Sequence, residues 1–131
     1  MLYAVLCYND EDVVYTWTKD QDAAVMAKID LVREKLIKQG KLGPSLRLLP
    51  TTAATTFRKS GGEPLVIDGP FAETKEQLLG FYIIDVADLD EALAIVAEIS
   101  AANPGSSYEI RPVGLYHGEE REAAPAEAAR A

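Results

Sequence analysis

Two periods organise the apolar residues of this chain. LYAVLCY (2–8) is aliphatic or aromatic at odd and even positions alike and ends at the acidic NDED, too short a run for a helix, so it reads as a buried strand with two apolar faces. GFYIIDV (80–86) repeats the pattern, with Phe81 and Ile83 on one face and Tyr82 and Ile84 on the other. Helical period takes over between them. Val25, Ile29, Val32 and Leu36 follow at steps of 4, 3 and 4, flanked by Met26 and Ile37, and predict an amphipathic helix over 19–39. Thr18 and Gln21, at capping-box spacing after an exposed loop carrying Trp17, mark its start, and Gly40 marks its end. Leu89, Ala92, Leu93, Val96 and Ile99 give a second helical stripe, opened by Asp88 and Glu91 at the same capping spacing and stopped by NPG at 103–105.

The stretches between these elements are shorter and more polar. SLRLLP (45–50) is assigned no element, whereas TTAATTFRKS (51–60) has the Thr and Phe content of a half-buried strand. SGGE followed by PLVID predicts a hairpin whose glycines accept positive φ. YEIRPV (108–113) is a last strand, placed at an edge by Pro112. In chain order this is β, α, β-hairpin, β, α, β, which predicts an α+β, ferredoxin-like antiparallel sheet with two helices on one face. The other sheet face is then uncovered although it is apolar, and a homodimer packing sheet against sheet would cover it.

With 131 residues there is room for one core, expected over 1–116, followed by an Ala, Glu and Arg tail over 117–131 that has no apolar stripe. The 13 Lys and Arg against 21 Asp and Glu leave a net charge of −8, which repels a phosphate backbone, so neither nucleic acid nor an anionic membrane is an expected partner. Cys7 is the single cysteine, so no internal disulfide forms, and with no secretory segment at the N-terminus the expected location is the cytoplasm. One Cys and one distant His make no zinc site, and the glycines of SGGEP do not fit a nucleotide-binding loop. No metal and no cofactor is expected.

The candidate chemistry gathers around DGPFAETKEQ (68–77). Gly69 before Pro70 fixes a corner, with Phe71 as its hydrophobic anchor, either as a plain turn or as a device that aims Asp68. Asp68, Glu73, Lys75 and Arg111 could meet where two strand ends come together, forming the polar rim of a cleft or only a surface ion-pair network. Glu109 and Arg111 share a face by period two, so a mutual ion pair could occupy Arg111. Tyr3, Tyr82 and Tyr108 either line a cavity or pack.

DGPFAETKEQLLGFYIIDVADLDEAL, preceded by ATTFRKSGGEPLVI and followed by EIRPV, resembles the DGPF-type proteins of the YCII-related superfamily. The likeness runs from about Leu49 to Val113, and the first strand and helix agree in layout. It implies a small bacterial protein with a dimeric ferredoxin-like fold of the dimeric α/β-barrel type, a cleft, and an association with extracytoplasmic-function sigma factors. Some members resemble enzymes with an Asp–His acid–base pair. Here the single histidine, His117, falls in the expected tail, so no such dyad carries over.

Three readings follow. The first is a dimeric, non-enzymatic small-molecule-binding or regulatory module whose cleft is lined by Asp68, Glu73, Lys75, Arg111 and Tyr82. The second is a cofactor-independent lyase- or isomerase-like enzyme in which Asp68 or Glu73 is the base and Lys75 or Arg111 steadies an oxyanion. The third is a protein-partner adaptor, tied to a sigma factor, that uses Trp17 and NDED.

Overall fold

The computed structural model describes residues 1–59 and 61–118. The expected tail falls largely outside these residues. Strands β1 (Leu2–Asn9), β2 (Leu42–Arg47), β5 (Gln77–Asp85) and β6 (Ser107–Pro112) form one antiparallel sheet in the order β2-β5-β1-β6. The short turn α1 (Glu11–Val14) and the helix α2 (Lys19–Lys38) lie between β1 and β2, and α3 (Leu89–Ala102) lies between β5 and β6. This is the expected α+β, ferredoxin-like arrangement with its helices on one face of the sheet.

The sheet is centred on the two most apolar strands. Tyr3 pairs with Ile84 and Val5 with Tyr82, so these four share one face, and Tyr3, Val5 and Ile84 join Leu36 of α2 and Ala92, Ile95, Val96 and Ile99 of α3 in the core. Leu6 and Phe81, paired with each other, point to the opposite face, as do Glu109 and Arg111 of β6. Among the described residues that face carries no helix.

The helix ends follow local chemistry closely. At Thr18 the capping box is complete: its hydroxyl accepts from Gln21 N at 3.1 Å, and Gln21 Oε1 accepts from Thr18 N at 2.9 Å. Gly40, at φ +70°, ends α2 by sending its N–H to Ile37 O while Lys41 N reaches Leu36 O, the paired bonds of a left-handed glycine stop. At α3 the Asp88 carboxylate accepts from Glu91 N at 2.9 Å, but the return bond is displaced by one residue, because Glu91 accepts from Ala87 N and from Lys41 Nζ. Those two bonds hold the Glu91 carboxyl below the ordinary carboxylate range.

Four expectations are corrected. Leu42–Arg47 is a strand although no element is expected there: Gly43 and Pro44 hide the signal, yet β2 is an edge strand, where proline costs no ladder bond. A register shift between Leu42 and Ser45 absorbs the pair. The α3 stripe is rotated, with Ile95 buried while Leu89 and Leu93 are half exposed. NDED is no free loop. Asn9 ends β1 in a buried position and Asp10 caps α1, and the Glu11 carboxylate accepts from Thr51 N and Thr51 Oγ1. Finally, the hairpin forms, as β3 (Thr55–Arg58) and β4 (Leu65–Asp68), but as a separate two-stranded sheet paired only with itself. No helix among the described residues is long and apolar enough to cross a membrane.

Candidate functional site

Beyond Tyr82 the packed layer between α2 and the sheet runs out. The ladder from β1 to β5 shifts by one residue after the Cys7–Gly80 pair, and there a cavity of about 260 Å³ opens. Its sheet side is built by Cys7, Gly80, Tyr82 and Tyr108, and its helix side by Val25, Met26, Ile29 and Arg33 of α2. Ser45 and Arg47 close it from β2, while Trp17 and Val14 come from the turn that precedes α2. Trp17 is therefore half-buried against the cavity and not in an exposed loop, because α1 folds the chain back over the end of the sheet.

A polar network lines one end. Asn103 Nδ2 donates to Ser106 Oγ at 3.2 Å and to Tyr108 Oη at 3.3 Å, and Asn9 Nδ2 donates to the same Ser106 oxygen at 3.3 Å. The Tyr108 hydroxyl thus accepts here and keeps its own proton to give. The Tyr82 hydroxyl makes no hydrogen bond with the described residues.

The protonation of this lining is set mainly by desolvation. Burial pushes the Cys7 thiol up to about 12. It also pushes Tyr82 up to about 12, with Cys7 and Tyr108 adding to the rise and the positive fields of Arg33 and Arg47 opposing it. Tyr108 is raised by burial against the bonds from Ser106 and Asn103. Near neutral pH all three groups are uncharged, and the cavity lining carries formal charge only on Arg33 and Arg47. Each arginine holds one long ion pair, Arg33 with Asp30 at 3.4 Å and Arg47 with Asp22 at 3.3 Å. Exposed pairs of this kind contribute about 0–1 kcal/mol.

Because the nucleophile is the thiolate, a thiol held neutral by burial reacts slowly. Native Cys7 is expected to be alkylated by iodoacetamide at least about tenfold slower than in the urea-unfolded chain. Equal rates in a stopped time course would show that the thiol is not desolvated.

Of the residues singled out from the sequence, Tyr82 lines this cavity together with Tyr108, while Tyr3 is core. Asp68 ends β4 opposite Thr55, and Glu73 and Lys75 are exposed in the segment that follows. Among the described residues no ion pair or side-chain hydrogen bond joins Asp68, Glu73 or Lys75 to one another or to Arg111. Arg111 is instead paired with Glu109 at 3.3 Å, on the sheet face away from α2.

Gly69 does make the expected corner. Its φ of +114° is one that other residue types rarely adopt, and the corner is tied down by Gly69 N to Ala54 O at 2.7 Å and by the Thr56 hydroxyl donating to Gly69 O. Pro70 follows it in an exposed position. Phe71 is not a buried anchor: it is 78% exposed, because the hairpin pairs only with itself and the described residues leave the ring uncovered. Arg58 reaches only the Phe71 carbonyl, at 3.0 Å.

Arg33 and Arg47 were not among the candidates read from the sequence. Arg33 had a legible signal, since it stands four residues after Ile29, on the buried side of α2 where a charge is out of place. Arg47 had none, because its strand was not recognised.

The YCII-related domain matches residues 1–114 of the chain. An uncharacterized protein of Rhizobium meliloti (strain 1021) is 61% identical over 117 residues, which cover 88% of this chain and 94% of the relative.

Proposed function

The chain belongs to the YCII-related domain family, and from that premise we propose that it is a small-molecule-binding module whose ligand occupies the cavity between α2 and the sheet. The cavity itself supports the reading. It is concave, mostly apolar, and carries a few convergent polar groups, the usual composition of a ligand site. At about 260 Å³ it falls just under the range of roughly 300–1,000 Å³ typical for drug-sized ligands, so its occupant is small. Asp68 and Glu73 stand exposed outside this lining, and the reading does not rest on them. Self-association belongs to the same proposal, since the helix-free sheet face and the hairpin both leave apolar side chains in the open. The regulatory form of the proposal, a link to a sigma factor, takes its support from the family likeness alone.

Trp17, the single tryptophan, lines the cavity and reports on it. A fragment screen read by its emission is expected to find saturable ligands whose binding is lost in Val25→Phe, a variant that fills the cavity from α2, while the melting temperature stays within error. Fragments that bind the parent and Val25→Phe equally, or whose amide shifts cluster at Asp68, Glu73 and Lys75, would overturn the cavity reading in favour of the rim.

A further inference from the structure

We propose that the cavity selects small organic carboxylates with an apolar or aromatic body. This deepens the binding reading above and rests on it. The charge pattern is the first argument. In a chain of net charge −8, the cavity lining holds two cations and no anion, and the cations come from opposite sides, Arg33 from α2 and Arg47 from β2. Asp30 and Asp22 offset part of that charge from outside the lining, and the groups that face the cavity itself still favour an anion over a cation.

Donor supply is the second argument. A carboxylate only accepts hydrogen bonds, so its site must offer free donors. Each guanidinium carries five N–H groups and spends one contact on an aspartate, and neither Asp22 nor Asp30 lines the cavity. The Tyr82 hydroxyl adds a proton with no acceptor among the described residues, and the Tyr108 hydroxyl, already accepting from Asn103, adds another. Both arginines line the cavity together with Tyr82.

The apolar lining sets the rest of the ligand. Val25, Met26, Ile29 and Trp17 offer aliphatic and aromatic surface but no acceptor, so the body that follows the carboxylate is apolar. Inorganic phosphate would satisfy the donors and leave this surface unfilled.

The test compares phenylacetate with its neutral isostere phenylacetamide by Trp17 emission or calorimetry, at low ionic strength and in the full chain. Phenylacetate is expected to bind at least about tenfold tighter, the scale of one charge-assisted hydrogen bond. That preference is expected to fall to near unity in Arg33→Met/Arg47→Met, with phenylacetate losing more affinity than phenylacetamide. Should the double variant fail to fold, Arg47→Met reads the same preference from a half-exposed side chain. Equal affinity for the two probes overturns the carboxylate class and leaves the cavity reading intact. So does displacement of phenylacetate by equimolar inorganic phosphate. If neither probe binds while the fragment screen does find ligands, the class again falls alone, and if the screen fails as well, both readings fall.

Discussion

Gly80→Ala is expected to destabilise the protein by about 3 kcal/mol, at the upper end of what one extra buried methyl usually costs. An alanine Cβ at this position would lie 2.2 Å from the Leu46 carbonyl oxygen and 3.1 Å from the Cα of Arg47. Both are backbone atoms of β2, and no side-chain rotation relieves the clash. The edge strand must move away from β5, loosening the pairs of Leu46 with Phe81 and Arg47 with Gly80. Gly114→Ala is the matched control, since a Cβ there meets nothing within 4 Å, and its effect is expected to stay within about 0.5 kcal/mol. Urea midpoints for the three proteins check this. A loss under about 1 kcal/mol for Gly80→Ala would mean that β2 does not approach β5 so closely. The displaced strand carries Arg47, so phenylacetate selectivity is expected to drop with stability.

The second large effect concerns mass. Sedimentation equilibrium at low micromolar concentration is expected to give twice the single-chain 14.2 kDa. Leu46, Phe57, Leu65, Val66 and Phe71 are all exposed in the single chain, and the sheet face away from the helices adds the half-buried Leu6 and Phe81. So much apolar surface exceeds what soluble monomers usually leave wet, and a symmetric copy covers it with the same residues. Phe71→Ala separates this from folding. With the side chain 78% exposed, the isolated chain loses no more than about 0.5 kcal/mol, so a larger loss that grows with protein concentration locates Phe71 in the contact between copies. A mass of 14.2 kDa across the concentration range would refute self-association and leave the hairpin as a surface for some other partner.

The sequence yielded those features whose physics is local. The strand over Leu2–Asn9, the span of α2 and the two bonds at Thr18 each depend on residues a few positions apart, and each is present. The strand over Leu42–Arg47 was illegible because what permits Gly43 and Pro44 there is an edge position and the nearness of Ile83, facts of the sheet and not of the segment. The buried side of α3 turned toward Ile95 for a similar reason: the periodicity fitted two adjacent faces, and docking chose one. Phe71 looked like an anchor because aromatic residues beside a Gly-Pro corner often are, yet whether a hairpin lies on the core or projects from it is decided by distant contacts. The candidate site was legible only at Tyr82 and Tyr108. Its two cations sit on separate elements 14 positions apart in sequence, and only the fold brings them to one cavity.

The strand order carries a consequence for synthesis. β1 lies between β5 and β6, so it leaves the ribosome well before both of the strands that it pairs with. Its partners begin at Gln77 and Ser107, and at about 5–20 residues per second the apolar LYAVLCY waits several seconds with both edges unpaired. α2 emerges in time to shield one face of that strand, but nothing made earlier than β5 can satisfy its amides. The sheet therefore closes late and from the C-terminal half, and any ribosome-bound chaperone that meets this chain has the first strand as its natural target.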